Sequence, residues 1–135
     1  MCLYNAKRVV HDGEDLVCYK VVSADMRSPY FPRKRWKIGK TESIKERMLP
    51  VVTNNGEIHD GAYHTYVNLK DAMNRVAYYP DRYVLECIIP HTSKYTYKGT
   101  VPSFFPNEDS VQNYASQKLK PIKILYQLTI PENLK

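Results

Sequence analysis

Glycine is scarce in this chain: 5 of its 135 residues are glycine, and they are well separated. Phosphate-binding loops and dinucleotide-binding turns need clustered glycines, because bare backbone must approach the phosphates closely. No serine lies between two glycines in the arrangement of a nucleophile elbow. These absences exclude the usual sequence signatures of P-loop nucleotide hydrolases, dinucleotide-binding domains and α/β-hydrolases.

Cysteine is also rare, and long apolar runs are missing. Cys2, Cys18 and Cys87 lack zinc-ligand spacing, and no two histidines lie four residues apart, so we expect no metal site. No stretch approaches the roughly 20 apolar residues of a membrane helix, and the first residues form no apolar signal segment. We therefore expect no membrane association, reduced thiols and a cytoplasmic location. Cys18 and Cys87 are expected to be buried as small hydrophobes.

Tyrosine, by contrast, is abundant, with 12 residues, and tyrosine is favoured in strands. Strand-like runs do not alternate regularly with helical ones. This order predicts one α+β domain spanning residues 1–135, with a mostly antiparallel sheet. The predicted strands cover 16–22, 63–66, 82–90, 94–98, 111–116 and 118–130, the last interrupted at Pro121.

One helix is clearly predicted, at residues 68–79. Asn68 is a good N-cap, and Pro80 follows the end of the apolar pattern. Arg75 is predicted on the polar face. The spacing from Ser43 to Glu46 fits a capping box, so one or two short helices are also expected. The apolar face of the main helix consists of Leu69, Ala72, Met73, Val76 and Ala77.

A cluster of Tyr and His lies where a strand meets this helix. Tyr63 and Thr65 are predicted on one face, and His64 and Tyr66 on the other. The nearby helix N-terminus favours anions, and a histidine there suits proton transfer or hydrogen bonding. A structural role for these side chains is the alternative. Two further places offer polar groups: the lysine of strand 16–22 with its neighbour, and the glutamine between the last two strands. The candidate ligand-binding residues are therefore Tyr19, Lys20, Tyr63, His64, Tyr66 and Gln117.

Positive charge is concentrated in residues 27–47, which hold eight Lys and Arg against two Glu. Tyr30 and Phe31 are interleaved with this charge, a combination that suits nucleic acid, a nucleotide or an acidic protein. A solvated loop kept soluble by its charge is the alternative. The predicted basic patch consists of Arg33, Lys34, Arg35, Trp36 and Lys37.

The order of these motifs resembles a group of small uncharacterised phage and bacterial domains, over roughly residues 16–125. The shared motifs are a Tyr-Lys strand, a Gly-led strand with His and Tyr, a helix with Ala, a strand ending in Ile-Pro, a Tyr-x-Gly turn and an Ala-Ser-x-Lys strand. Here they fall at 19–22, 61–66, Ala72, 84–90, 97–99 and 115–120.

The pattern also resembles the ADP-ribosyltransferase fold. That resemblance implies an NAD site with Tyr19 or Lys20 on its first strand, and with Tyr63 and His64 on its second. Gln117 takes the place of the Glu or Gln that this family carries on a late strand. The chain departs from that family in having no His or Arg on strand 16–22, and Gln where a Glu usually supports transfer.

Two functions follow as hypotheses. The first is a non-enzymatic binding protein, phage-encoded as the resemblance implies, that needs no cofactor and engages an acidic protein, a nucleic acid or a nucleotide. The second is an ADP-ribosyltransferase-like enzyme that uses NAD. A structural or assembly component is a third alternative. The site hypothesis depends on whether Lys20, His64 and Gln117 meet in one cleft.

Overall fold

The computed structural model describes residues 3–28, 34–78, 83–101 and 111–127. Within these ranges the chain forms eight strands, one α-helix and one 3₁₀ turn, Glu46–Met48. The helix α1 is Leu69–Tyr78. The strands are β1 Tyr4–Arg8, β2 Leu16–Val22, β3 Glu42–Ser43, β4 Tyr63–Tyr66, β5 Tyr83–Ile89, β6 Thr96–Val101, β7 Val111–Ser116 and β8 Lys118–Gln127.

The strands form one antiparallel sheet in the order β1-β6-β7-β4-β2-β5-β8-β3. A mostly antiparallel sheet with one helix agrees with the α+β class predicted from the sequence. β2, β4 and β7 have their predicted bounds. β8 differs, because Pro121 lies inside it and pairs with Cys87 next to a register shift. A bulge accommodates a proline that cannot donate to the ladder.

The sheet is weakly joined at its centre. β2 pairs with β5 along its whole length, from Leu16 to Val22, but faces β4 through Tyr19 opposite Tyr66. The sheet therefore consists of two four-stranded halves, β1-β6-β7-β4 and β2-β5-β8-β3. We call the junction between β2 and β4 the seam.

One face of the sheet carries a core built around Trp36. The indole contacts the ring of Tyr63 edge-on at 4.9 Å, and its Nε1 donates to the Ser28 hydroxyl at 2.6 Å. Cys18 and Cys87 lie opposite each other on β2 and β5, both fully buried and unbridged. Burial raises the pKa of Cys18 to about 12. The expected burial of both cysteines is confirmed.

Helix α1 covers the other face near the seam. Ala72 and Val76 are buried against the sheet as the pattern predicted, whereas Leu69 in the first turn is 39% exposed. Arg75 differs from its predicted polar position and is buried. It follows Ala72 by three residues, so it borders the buried stripe and is covered with it. The side chain of Ala77 lies outside the described set.

A second hydrophobic cluster lies at the β1 end of the sheet. Leu3 and Ile58 exchange two backbone hydrogen bonds of 2.8 Å and are both fully buried. The tight turn before Ile58 places Gly56 at a φ of 76°. Strand β1 pairs with β6, and its register shifts opposite Gly99, where a side chain would collide with the Tyr4 carbonyl. The absence of a side chain at Gly99 is what lets β1 dock.

The predicted capping box and part of the predicted basic patch remain to be compared with the structure. The predicted capping box is wrong, because Ser43 lies in β3 and the following 3₁₀ turn has no side-chain cap. Arg33 of the predicted basic patch lies outside the described residues, as do Tyr30 and Phe31. Within the described ranges, no helix has the length and apolar character needed to cross a bilayer.

Candidate functional site

Lys20 and His64 meet at the seam. The Lys20 ammonium donates a hydrogen bond of 2.9 Å to the His64 carbonyl and lies 5.6 Å from the centroid of the Trp36 ring. β4 and β2 are barely paired here, so the lysine supplies a donor that the neighbouring backbone does not. The side chain closes the gap between the two half-sheets.

Burial gives Lys20 an unusual chemistry. It is 8% exposed, and no carboxylate pairs with it in the described part of the chain. Burial lowers the pKa of its ammonium to about 8, against a small opposing effect of the Cys87 and Cys18 thiols. The ammonium is therefore almost excluded from solvent, and it gives up its proton more readily than an exposed lysine does.

His64 lies beside it with a neutral ring. Burial, followed by the charge of Lys20, lowers the pKa of this imidazole to about 4. Both ring nitrogens are buried, and neither makes an aligned hydrogen bond with the described residues. At neutral pH the ring is thus an uncharged group held in a poorly solvated place, and it offers no positive charge to an anion.

The side chains of β4 alternate as predicted. Tyr63 packs on Trp36 in the core, and Tyr66 lies under α1 on the opposite face. Burial raises the pKa of Tyr63 to about 12, so its phenol stays neutral. Tyr19 is half-buried and faces Tyr66 across the seam. The seam therefore gathers five of the six candidate ligand-binding residues, but on two faces of the sheet.

Gln117, the sixth candidate, lies elsewhere. Its side-chain amide donates to the Ile44 carbonyl at 2.9 Å, and its backbone N–H donates to the Tyr95 carbonyl at 3.0 Å. None of its contacts reaches Lys20 or His64. Two of the three predicted segments meet, and the third is separated from them because the β7–β8 junction turns toward β3.

Two cavities in the described part of the chain have Lys94 in common, and one of them is also lined by Gln117. The larger, about 360 Å³, is lined by Gln117 and Lys118 together with Glu46, Leu49, Pro50, Thr92, Lys94 and Tyr95. The smaller, about 270 Å³, is lined by residues 8–13 with His91 and Lys94. Lys94 stands between them. Apart from Gln117, sequence analysis missed these residues, because they come from turns that are distant in sequence and carry no motif.

The basic segment lies along the β3 edge of the sheet. β3 pairs with the start of β8, and Gly39 N–H donates to the Pro121 carbonyl at 2.7 Å. Lysines of β8 thereby join those of the segment. We call this surface the basic edge: Lys34, Arg35, Lys37, Lys40, Lys45, Arg47, Lys118 and Lys120, with Glu42 and Glu46 as its carboxylates.

Two members of the predicted basic patch, Lys34 and Trp36, are not free cations on a surface, because the first is ion-paired and the second is buried. Lys34 and Lys40 both pair with Glu42, at 2.5 and 3.3 Å, and their hydrogen bonds outweigh burial and lower the pKa of that carboxyl. The assignment of Trp36 to the patch is wrong, because its indole is 2% exposed and belongs to the core. Arg35 and Lys37 are exposed as predicted.

No protein-family model matches this chain, and neither a curated protein nor a solved structure is significantly similar to it. The class that the fold defines is an α+β protein with one antiparallel sheet, parted at a central seam and flanked by one helix.

Proposed function

We propose that the protein binds nucleic acid through the sugar–phosphate backbone, using the basic edge. The observation that carries the proposal is the docking of residues 34–47 along β8, which adds Lys118 and Lys120 to the cations of that segment. The basic edge thus carries eight cationic side chains and two carboxylates. Closely spaced phosphates match such a row, and the counterions they release on binding supply the affinity.

The composition of the basic edge favours contacts with phosphates over contacts with bases. Trp36 is the aromatic residue of the described part of the segment, and its burial removes it as a platform for base stacking. Cations that contact phosphates position a strand without discriminating its sequence. The proposed binding is therefore sensitive to salt and indifferent to base sequence.

Exchanging Lys37 and Lys45 for glutamate should weaken binding of a mixed-sequence single-stranded oligonucleotide by about tenfold or more at low salt. Both side chains are exposed and have no ion pair in the described residues. Each lost phosphate contact should also reduce the slope of log affinity against log salt by about 1. Fluorescence anisotropy across a salt series measures both quantities.

The matched control is the pair Lys7→Glu and Lys70→Glu, which changes net charge equally on β1 and α1, away from the basic edge. Equal weakening by the two pairs would show a mere net-charge effect and contradict the proposal. So would an affinity that hardly falls as salt rises. If poly-glutamate binds and oligonucleotides do not, the basic edge serves an acidic protein.

A second candidate is an ADP-ribosyltransferase-like activity that uses NAD. The observation that favours it is the meeting of Lys20 with the His64 carbonyl at the seam, since the resemblance assigns both residues to a ligand site. Gln117, the third residue implied by that resemblance, bonds Ile44 instead. The candidate therefore rests on the seam alone.

If this second candidate is correct, millimolar NAD should raise the thermal midpoint, because a ligand bound to the native state stabilises it. Lys20→Met should remove the shift, whereas Gln117→Ala should leave it intact. Differential scanning fluorimetry gives the midpoints, each compared with the same variant without NAD. Absence of any shift in the natural sequence at millimolar NAD would reject the activity.

A further inference from the structure

The smaller cavity gathers basic side chains from two distant parts of the chain. Arg8 and His11 come from the end of β1 and the turn after it, and His91 and Lys94 come from the turn after β5. Arg8 and Lys94 are exposed and form no ion pair within the described ranges. Asp12 is the carboxylate in the wall. Four groups that can carry positive charge thus surround about 270 Å³.

Both ring nitrogens of His11 lie within hydrogen-bond distance of oxygen atoms of the protein. Its Nδ1 lies 3.1 Å from the Glu14 carbonyl, which can only accept a hydrogen bond. Its Nε2 lies 2.9 Å from the Thr96 hydroxyl, whose proton is donated to the Ser93 carbonyl at 2.6 Å. Both ring nitrogens of His11 are therefore engaged within the protein, and these contacts fix the ring in the wall of the cavity.

His91 is held in place by Asp15. The carboxylate accepts hydrogen bonds from the His91 backbone N–H at 2.8 Å and from its Nδ1 at 3.0 Å. These two bonds, the backbone one first, lower the pKa of Asp15. Nε2 remains as the polar atom of the ring available to a ligand. The charge of Asp15 is engaged by His91 and is not directed into the cavity.

We infer that this cavity binds a phosphate monoester. A monoester carries nearly two negative charges near neutral pH and three terminal oxygens that accept hydrogen bonds. Arg8 and Lys94 bring N–H donors to the cavity from two segments, and His91 adds its Nε2. These groups match a phosphate monoester better than they match a singly charged carboxylate. The volume admits the phosphate group with a small part of its ester. This inference does not depend on nucleic-acid binding by the basic edge, because free phosphate is itself a test ligand.

Two sources supply this chemistry: a small phosphorylated metabolite and the 5′-phosphate at the end of a nucleic acid strand. Lys94 also lines the larger cavity, whose wall contains Lys118 of the basic edge. A strand lying on that edge would thus pass the larger cavity before its end reached Arg8. The two sources are distinguished by comparing a small phosphate monoester with a phosphate at the end of an oligonucleotide.

The test begins with inorganic phosphate, titrated at constant ionic strength while the histidine ring signals are followed by NMR. The signals of His11 and His91 should shift saturably at millimolar phosphate, and that of exposed His59 should not. Arg8→Gln should weaken the affinity about tenfold, since it removes a charge-assisted bond. Lys7→Gln, the same charge change on the adjacent β1 residue, should leave it unchanged. Acetate in place of phosphate should produce no saturable shift.

The second stage compares ribose 5-phosphate with matched 5′-phosphorylated and 5′-hydroxyl oligonucleotides. A preference for ribose 5-phosphate over ribose supports a metabolite as ligand, and a preference for the phosphorylated strand supports a strand end. Loss of either preference in Arg8→Gln assigns it to this cavity. Equal responses to phosphate and acetate, or equal effects of Arg8→Gln and Lys7→Gln, would overturn the inference. If 5′-hydroxyl strands fail to bind while phosphate still does, the nucleic-acid proposal alone fails.

Discussion

Replacing Gly99 with alanine is expected to destabilise the fold by about 3 kcal/mol, the upper part of the range for overpacked sites. A Cβ atom at this position would lie 2.4 Å from the Tyr4 carbonyl oxygen and 2.8 Å from Cγ of Leu3. The closest atom belongs to the backbone of β1, so a side-chain rotation cannot relieve the collision. β1 must move away from β6, and the buried contact between Leu3 and Ile58 is disturbed with it.

Urea unfolding followed by circular dichroism measures this loss. Gly39→Ala is the control, because its Cβ would meet nothing within 4 Å. Its φ of 84° makes alanine unfavourable there by about 1 kcal/mol through backbone strain alone. A Gly99→Ala variant no less stable than Gly39→Ala would show that β1 does not approach Gly99 as closely as described.

The second large effect is expected on acidification, through His64. In the unfolded chain its imidazole titrates near 6.5, and burial lowers the folded pKa to about 4. Between these values the unfolded state binds the additional proton, so unfolding becomes easier as the pH falls from 6.5 to 4. The difference in pKa corresponds to about 3 kcal/mol, and none of it is lost above pH 6.5.

His64→Leu should remove this part of the pH dependence. The free energy of unfolding is measured for both proteins between pH 4 and 7, and their difference is plotted against pH. Carboxylates that titrate in the same range cancel in that difference. His59→Leu alters an exposed histidine and should keep the full acid sensitivity. Parallel curves for the natural sequence and His64→Leu would mean that His64 is solvated in the folded protein.

Local patterns predicted the individual elements well. The β-branched and aromatic run at 16–22 gives β2 its bounds, and the spacing of Ala72 and Val76 places the buried face of α1. The alternation of Tyr63 and His64 on opposite faces also follows from local geometry. These properties depend on near neighbours in the chain, which is why the sequence reveals them.

Properties that depend on distant neighbours were not predictable. Nothing local to Lys20 indicates that β4 will part from β2 and leave a carbonyl for its ammonium. Trp36 looked like a surface aromatic among cations, because the core that receives it comes from β2, β4 and β5. The position of Gln117 was not predictable for the same reason, because the pairing of β3 with β8 brings its side-chain amide to the Ile44 carbonyl.

The seam has one further consequence, for how the molecule fluctuates. An opening that separates the two half-sheets breaks few ladder bonds, since β2 and β4 share little pairing. It also brings water to the Lys20 ammonium, and hydration of this charge offsets part of the free energy that opening costs. Few backbone hydrogen bonds thus oppose opening at the line where the sheet holds its buried cation, and the packing of Trp36 on Tyr63 opposes it instead. A breathing motion confined to that line would leave the helix packed on β2 and both outer edges paired.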